Sequence, residues 1–345
     1  MKDVIIVVPS LDPEEDIMLK FIEELKGEFN NILVINDGSN ESHDKFFNDL
    51  EKMGIDVFYH NKNLGKGRAI KNAFNYLLNK YPNMVGCITC DCDGQHSVKD
   101  IKKCAKSLVK NPKKLILGVR NFDKENVPPR SKFGNKITRN IFKIFIGLDI
   151  TDTQTGLRGF GKTLMKDFMD LGGERYEYET NMLIECKESA IPIEEVEIET
   201  IYLNSNANSH FNPLRDSIMI YRLFCKYFLV SMSSFLLDII LFISVFNLLN
   251  INSKILAATI LARVISSAYN YITNSNLIFK DMSIKSLIKY YGLVVIAMLF
   301  SGCLVTYLYN LLHFNVLIIK IIVDTIIWFV NLIIQREFVF NNEKK

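Results

Sequence analysis

Over the first 220 or so positions, short apolar runs alternate with stretches whose apolar residues recur at helical spacing. Val4 to Val8 is a continuous apolar run that reads as a buried strand and closes at Pro9-Ser10. Glu14 to Lys26 then carries Ile17, Phe21, Ile22 and Leu25 on one helical face. Ile32 to Ile35 repeats the strand signal and ends in Asn36-Asp37-Gly38-Ser39. Ile55 to Tyr59 predicts a third strand, and Asn63-Leu64-Gly65-Lys66-Gly67-Arg68-Ala69 leads into a helix through Leu78. Met84 to Thr89, Leu115 to Val119 and Ile193 to Tyr202 read as further strands, and Arg175-Tyr176-Glu177-Tyr178-Glu179 opens a late helix. Strands alternating with helices predict an α/β, Rossmann-like unit with a mostly parallel sheet and helices on both faces. Ligands of such sheets bind beyond the carboxyl ends of the strands, so Pro9-Ser10, Asp37-Gly38-Ser39, Asp91 to His96 and Gly118-Val119-Arg120 are expected at one edge.

From Tyr227 onward the pattern changes. Tyr227 to Leu249, Ile255 to Ile272, Leu287 to Tyr309 and Val316 to Ile334 are each close to the roughly 20 apolar residues needed to cross a bilayer. The chain is therefore divided into a soluble α/β domain at 1–222 and an all-α membrane domain of four transmembrane helices at 227–345. Two amphipathic stretches precede the spans. One, near 130–148, puts Phe133, Ile137, Ile141, Phe145 and Leu148 on a stripe beside Lys132, Lys136, Arg139 and Lys143, as in a helix lying on a membrane surface. The other, near 213–226, carries Ile218, Tyr221 and Phe224 toward Phe228 and joins the first span. Lys280, Lys285, Lys289, Arg336, Lys344 and Lys345 fall on one side of the four spans and only Lys254 stands out on the other, which predicts both termini and the first domain in the cytoplasm. The N-terminus shows no signal peptide, because Val4 to Val8 is too short. The second and fourth spans share a spacing: Arg263, Asn270, Asn274 and Phe279 match Asp324, Asn331, Gln335 and Phe340. This suggests a duplicated helix pair in which Arg263 neutralises Asp324, with Asp238 of the first span as its other available partner.

Length and charge add limits. The 345 residues suit two domains, and a net charge of +3 without a concentrated basic stripe gives no argument for nucleic acid. Seven cysteines scattered through the chain do not resemble a disulfide framework, and Cys87-x-x-Cys90 on a strand would face opposite sides, against a redox or zinc role. Gly65-x-Gly67 is not a dinucleotide fingerprint, because the third small position is Ile70 and the loop follows the third strand.

The chemistry concentrates in Cys90-Asp91-Cys92-Asp93-Gly94-Gln95-His96. Asp91 and Asp93, two apart at a strand end, lie on the same side of the chain, and with the Gln95 amide oxygen they make a hard oxygen site for Mg2+ or Mn2+ that leaves positions for phosphate oxygens. The competing reading is a strand-to-helix turn in which one of the aspartates caps the helix near Ser97. Asp37-Gly38-Ser39, Asn63-x-Gly65-x-Gly67, Asp91-x-Asp93-x-Gln95-His96, Gly118-x-Arg120, Asp152-Thr-Gln-Thr-Gly156 and Ser209-His210-Phe211 occur in that order. Together they resemble the family 2 glycosyltransferases that act on polyprenyl phosphates, the dolichyl-phosphate mannose synthase type. The C-terminal part, with Asn331-Leu-Ile-Ile-Gln335-Arg336-x-Phe338, resembles a GtrA-type four-helix membrane domain.

The resemblance implies a GT-A catalytic fold and inverting transfer of a hexose from a nucleotide-diphosphate sugar to a polyprenyl phosphate of the undecaprenyl type, at the cytoplasmic membrane and for cell-envelope glycosylation. It implies that Asp91, Asp93 and Gln95 hold the metal, and that Pro9, Asp37, Gly38 and Asp91 hold the nucleotide sugar. Where the family carries Asn-Glu-Glu this chain has Asp12-Pro13-Glu14, which makes Asp12 or Glu14 the substitute contact. Arg120 and Arg130, with Ser131 and Arg215, are implied to gather the acceptor phosphate, and Asp91, Asp93, Arg120 and Arg130 form the implied catalytic set. A lipid phosphate is largely dianionic near neutral pH, so the reaction asks for no general base, and His96 is read as a helix-start residue. Two other readings are a flippase or anchoring protein for lipid-linked sugars and a processive polysaccharide synthase. The second lacks its Gln-x-x-Arg-Trp motif, because Trp328 follows Ile327 inside a span. A homo-oligomer is compatible with each of these.

Overall fold

The computed structural model describes residues 3–123, 127, 129–199, 213–248, 254–276 and 283–339. The chain divides into two compact units, Met1–Ile220 and Tyr221–Lys345. In the first, β1 (Val4–Ser10), β2 (Ile32–Asn36), β3 (Asp56–Tyr59), β4 (Gly86–Thr89), β5 (Leu115–Arg120), β6 (Arg158–Gly161) and β7 (Ile193–Ile198) form one seven-stranded sheet in the order β3-β2-β1-β4-β6-β5-β7. Parallel pairing sets Ser10 opposite Asn36 and Val7 opposite Thr89, which brings β1, β2 and β4 to an end at one edge. The connecting helices are α1 (Glu15–Lys26), α2 (Asp44–Lys52), α3 (Lys66–Lys80), α4 (Val98–Lys110), α5 (Pro129–Ile141, continuing as a π turn over Phe142–Ile146), α6 (Lys162–Met169) and α7 (Glu177–Glu188).

Alternation along the central strands divides the core. Val4, Ile6 and Val8 of β1 pack with Met18, Phe21, Ile22 and Leu25 of α1, Phe46, Phe47 and Leu50 of α2, and Ile101, Cys104 and Leu108 of α4. Ile5 and Val7, also buried, point to the face where α3 and α6 pack. A strand buried on both faces has no polar positions, which is why β1 reads as an unbroken apolar run.

One strand carries no sequence signal. The loop from Asp152 to Leu157 runs directly into β6, which lies antiparallel between β4 and β5. Arg158-Gly159-Phe160-Gly161 carries no apolar alternation that would mark a strand. Gly161 is there because a Cβ at that position would stand 1.8 Å from the Pro112 carbonyl oxygen, so the sequence spends on close approach the residues that elsewhere signal β-structure.

The second unit takes α8 (Pro213–Leu248) from Tyr221 onward, with α9 (Lys254–Asn274), α10 (Ile284–Leu312) and α11 (Val316–Ile334). α8 is a single helix of 36 residues, so the second amphipathic stretch and the first span run on without a break. Among the described residues, Phe228–Val245 and Ile284–Leu312 are long and apolar enough to cross a membrane, with mean hydropathy 2.3 and 2.0. The unit is apolar outside and polar within: Leu229, Ile240, Ile288, Ile296 and Leu299 are exposed, whereas Ser231, Ser234, Ser266, Ser267 and Ser301 are buried. Small hydroxyl residues between helices and apolar residues outside are the arrangement expected when the surroundings are lipid.

At the centre, Nη2 of Arg263 lies 3.4 Å from Asp238 and 3.8 Å from Asp324, and Lys320 lies 3.0 Å from Asp324. The Ser266 hydroxyl donates to Asp238 at 2.7 Å and the Ser301 hydroxyl to Asp324 at 2.5 Å. Both partners expected for Arg263 are therefore engaged. Asn274 donates to Gln335 at 3.3 Å, so two of the matched pairs in the second and fourth spans meet, as positions facing one another across a pseudo-twofold axis would. Replacing Arg263 by Met leaves two carboxylates without their shared cation. We expect a loss of roughly 3 kcal/mol, the cost of breaking a buried ion pair, seen as a lower melting temperature of the detergent-solubilised protein. Adding Asp238→Asn should recover part of it, and no recovery would mean that Asp238 does not depend on Arg263.

Candidate functional site

At the carboxyl edge of the sheet a cavity of about 360 Å³ is lined by Pro9, Ser10 and Leu11 after β1, Asp37 after β2, Asp91, Cys92 and Asp93 after β4, and Arg120 at the end of β5. Asn63, Gly65 and Lys66 close it from the head of α3, Thr153 and Gln154 from the loop before β6, and Arg175, Tyr176, Glu179 and Thr180 from the start of α7.

Asp91 is fixed from three sides. Its Oδ1 lies 2.7 Å from Nζ of Lys66, its backbone N–H donates to Nδ1 of His96 at 3.2 Å, and a Cβ on Gly156 would stand 2.3 Å from its Oδ2. Burial opposes ionisation of this carboxyl, but Lys66, His96 and Arg120 outweigh it and hold its pKa down at about 2. Asp93 closes a turn by accepting the Gln95 N–H at 3.0 Å. Burial and the neighbouring Asp91 charge push the Asp93 pKa up, so the two carboxylates repel each other across the cavity. Ser97, not either aspartate, is the N-cap of α4, its side chain accepting from the Asp100 N–H at 3.2 Å. Both carboxylates are thus left to the cavity, against the capping reading. The buried His96 is driven toward its neutral form by desolvation and spends one ring nitrogen on the Asp91 backbone.

Arg120 is set by Asp152, with Nε 2.7 Å from Oδ2 and Nη2 3.2 Å from Oδ1, a two-pronged pair that fixes the guanidinium plane. Asp37 is buried and spends its oxygens on the chain: Oδ1 accepts the Leu64 N–H at 3.0 Å and lies 2.6 Å from Nδ1 of His60, and Oδ2 accepts the Gly65 N–H at 2.8 Å. It therefore pins the Asn63–Gly67 loop against the cavity wall.

Of the residues singled out from sequence, the structure brings Pro9, Asp37, Asp91, Asp93 and Arg120 into one cavity. Asp12, Glu14, Gly38 and Gln95 are not among its lining residues. Asp12 sits at φ 43° with its carboxylate on the Asn40 N–H at 2.7 Å, which ties it to the neighbouring loop, and Glu14 is the N-cap position of α1. Gly38, at φ 72°, lies against the Lys62 backbone. Ser131 is half-buried in α5. Arg130 and Arg215 fall in the first turns of α5 and α8, and their side chains, like all of Ser209-His210-Phe211, lie outside the described residues. Thr153 and Gln154 belong to the Asp152–Gly156 motif, whereas Lys66, Glu179, Arg175 and Tyr176 were not anticipated. Lys66 carried a signal, standing between Gly65 and Gly67 at a predicted strand's carboxyl end, whereas Glu179 was legible only as part of a helix start. The buried Cys87 and Cys90 are free thiols whose pKa values burial pushes up, so neither is poised for redox or metal chemistry.

Residues 5–170 match the model of glycosyl transferase family 2, and residues 226–340 match the GtrA/DPMS transmembrane domain. A Methanocaldococcus jannaschii protein of uncharacterised function is 31% identical over 226 residues, 64% of this chain and 90% of that protein. The UDP-N-acetylglucosamine–dolichyl-phosphate N-acetylglucosaminyltransferase of Methanococcus voltae is 27% identical over 241 residues, 64% of this chain and 95% of that one. Among solved structures, the Mycobacterium tuberculosis glucosyl-3-phosphoglycerate synthase in complex with Mn2+, UDP and glucosyl-3-phosphoglycerate is 14% identical, covers 65% of this chain and 78% of its own, and has a TM-score of 0.48. The sheet, its loaded carboxyl edge and the family matches define a glycosyltransferase catalytic unit of the GT-A kind. The chain belongs to glycosyl transferase family 2, and a GtrA/DPMS transmembrane domain follows the catalytic one.

A methyl group at position 156 has nowhere to go except into Asp91. Gly156→Ala is expected to destabilise the protein by about 1–3 kcal/mol, the usual range for overpacking, and to depress transfer activity at least tenfold, because the Asp91 carboxylate must move. A thermal melt alongside an activity assay checks both, and full activity would show that Asp91 tolerates displacement.

Proposed function

We propose that this protein is an inverting hexosyltransferase that moves a sugar from a nucleotide-diphosphate donor onto a polyprenyl phosphate at the cytoplasmic face of the membrane. The observation that carries the reading is that the acidic pair Asp91 and Asp93 and the guanidinium of Arg120 line one cavity together with Pro9 and Asp37. The donor set suits a hard divalent ion, since two carboxylates that repel one another gain from a shared cation. Asp91 and Asp93 would hold Mg2+ or Mn2+, with Gln95 the third donor expected from sequence. When bound, the ion draws charge toward the departing nucleoside diphosphate.

The chain's own groups do the rest. Pro9 and the loop pinned by Asp37 form the wall for the nucleotide. Arg120, held flat by Asp152, presents a fixed cation to an incoming phosphate oxygen. That oxygen forms a bond to the anomeric carbon while the carbon's bond to the donor diphosphate breaks and its electron pair leaves with the diphosphate, which inverts the centre. A phosphate acceptor with a second pKa near 6 needs no base, in keeping with a His96 already committed to the backbone. Arg130 and Ser131 in α5, and Arg215 in α8, are assigned to the acceptor phosphate as further contacts. α5 leaves Phe133 and Ile137 exposed beside the exposed Lys132 and Lys136, which supports a helix lying on an anionic membrane surface. The four helices of the second unit are read as membrane spans, with the termini and the catalytic unit cytoplasmic.

The reading is tested by incubating membranes that contain the protein with labelled nucleotide sugars and either undecaprenyl or dolichyl phosphate, then analysing the lipid fraction. UDP-N-acetylglucosamine is the first donor to try, because the Methanococcus voltae relative is named for it. A panel that gives no sugar-phosphate lipid overturns the proposal. Asp93→Ala should abolish transfer at saturating metal while the melting temperature stays near the parent's. For Arg130→Ala the acceptor KM should rise about tenfold, the equivalent of one charge-assisted contact, with donor affinity nearly unchanged. Loss of donor binding in that variant would move Arg130 to the donor side.

A further inference from the structure

Lys66 is gripped by two carboxylates that both line the cavity. Its Nζ lies 2.7 Å from Oδ1 of Asp91 and 2.9 Å from Oε1 of Glu179. The side chain is 15% exposed and that of Glu179 only 9%, so this ion pair is largely shielded from water.

The position matters because Asp91 is also the first carboxylate of the acidic pair. An oxygen with an ammonium 2.7 Å away is not available to ligate an ion, and that ammonium repels a divalent cation approaching the same oxygen. Lys66 has to withdraw before a metal can take Asp91. Its flexible four-carbon stem permits this, whereas a planar guanidinium forked onto both acids would resist. A diphosphate arriving with the metal supplies the ammonium with a new anionic partner, so the lysine leaves Asp91 without losing its compensation.

We propose that Lys66 is a tethered counter-cation that holds the Asp91 site against a bare divalent ion and yields it to one that arrives with a nucleoside diphosphate. Metal and nucleotide then bind as a coupled pair, and by linkage each raises the affinity for the other equally. Glu179 is the second anchor that keeps the ammonium in the cavity after it leaves Asp91. The inference rests on the assignment of Asp91 and Asp93 as metal ligands.

The test is a titration of the full-length, detergent-solubilised protein with Mn2+, followed by electron paramagnetic resonance of the free ion, alone and with UDP or GDP, and with protein-free runs to correct for the nucleotide complexes. The parent protein should bind Mn2+ about tenfold or more tightly when nucleotide is present, within the usual range of coupling between sites. In Lys66→Met, nucleotide-free Mn2+ binding should strengthen about tenfold and the nucleotide-induced gain should shrink to match. Glu179→Gln removes a negative charge and leaves the lysine to Asp91, so nucleotide-free binding should weaken. Should Lys66→Met fail to fold, as judged by its melt, Glu179→Gln decides alone, and unchanged or tighter Mn2+ binding overturns the proposal. A folded Lys66→Met that binds bare Mn2+ no better than the parent overturns the role of the lysine while leaving the metal assignment standing. No saturable Mn2+ binding by the parent with either nucleotide overturns the metal assignment itself, and this inference with it.

Discussion

A buried ammonium shared by two acids holds the working edge of the catalytic unit together. Lys66 opens α3, Asp91 follows β4 and Glu179 lies in the first turn of α7, so one cation joins three elements that are remote in sequence. The joint is reinforced around it: Glu174 takes Nε and Nη2 of Arg68 at 2.5 and 2.6 Å, and Lys71 reaches the same carboxylate at 3.2 Å. Behind Glu179, the fully buried Arg158 donates to its backbone carbonyl at 2.7 Å. Buried charges are tolerated only when each finds a partner, and here the pairing doubles as the means of assembling the cavity wall.

The second constraint is the antiparallel β6. By running between β4 and β5 it delivers the Asp152–Gly156 loop to the gap between their carboxyl ends. That loop touches both chemistries of the cavity. Asp152 orients Arg120, and Gly156 presses on Asp91 while its carbonyl accepts the Thr89 hydroxyl at 3.0 Å. Thr155 donates to the Gly118 carbonyl at 2.6 Å and locks the loop to β5. The spacing between the acidic pair and the arginine is therefore set by one short segment braced on two strands, a stiffer arrangement than two independent loops would give.

These two joints explain what the sequence disclosed and what it withheld. Strands β1, β2, β4 and β5 were legible because double-sided burial leaves an unbroken apolar run, and their carboxyl ends located Pro9, Asp37, Asp91, Asp93 and Arg120. β6 was not legible, since close approach to Pro112 requires glycine where a β-branched residue would have announced a strand. Lys66 and Glu179 went unassigned for a different reason. Each stands in a stretch that reads correctly as a helix start, and only the tertiary fold brings two residues 113 positions apart to a 2.9 Å contact. Asp12 and Glu14, the substitutes sought for the nucleotide contact, are not among the residues lining the cavity: the Asp12 carboxylate is tied to the Asn40 N–H and Glu14 stands at the N-cap position of α1, which no residue count from the first strand reveals.

Both units place a bridging cation between two carboxylates, with Lys320 also on Asp324 in the membrane unit, but the bridging residues differ. In the membrane unit Arg263 stands between Asp238 and Asp324, each carboxylate further held by a serine hydroxyl. Arginine stays charged under any condition a protein meets and presents several donors in a fixed plane, which suits a joint that must persist in a medium where an unpaired charge is costly. The catalytic cavity uses lysine, a point charge on a flexible stem whose bonds can be exchanged one at a time. An arginine at position 66 would satisfy the same two acids and would brace α3 against α7 as well. What it would lose is the freedom to step aside, which is the property the proposed role of Lys66 requires.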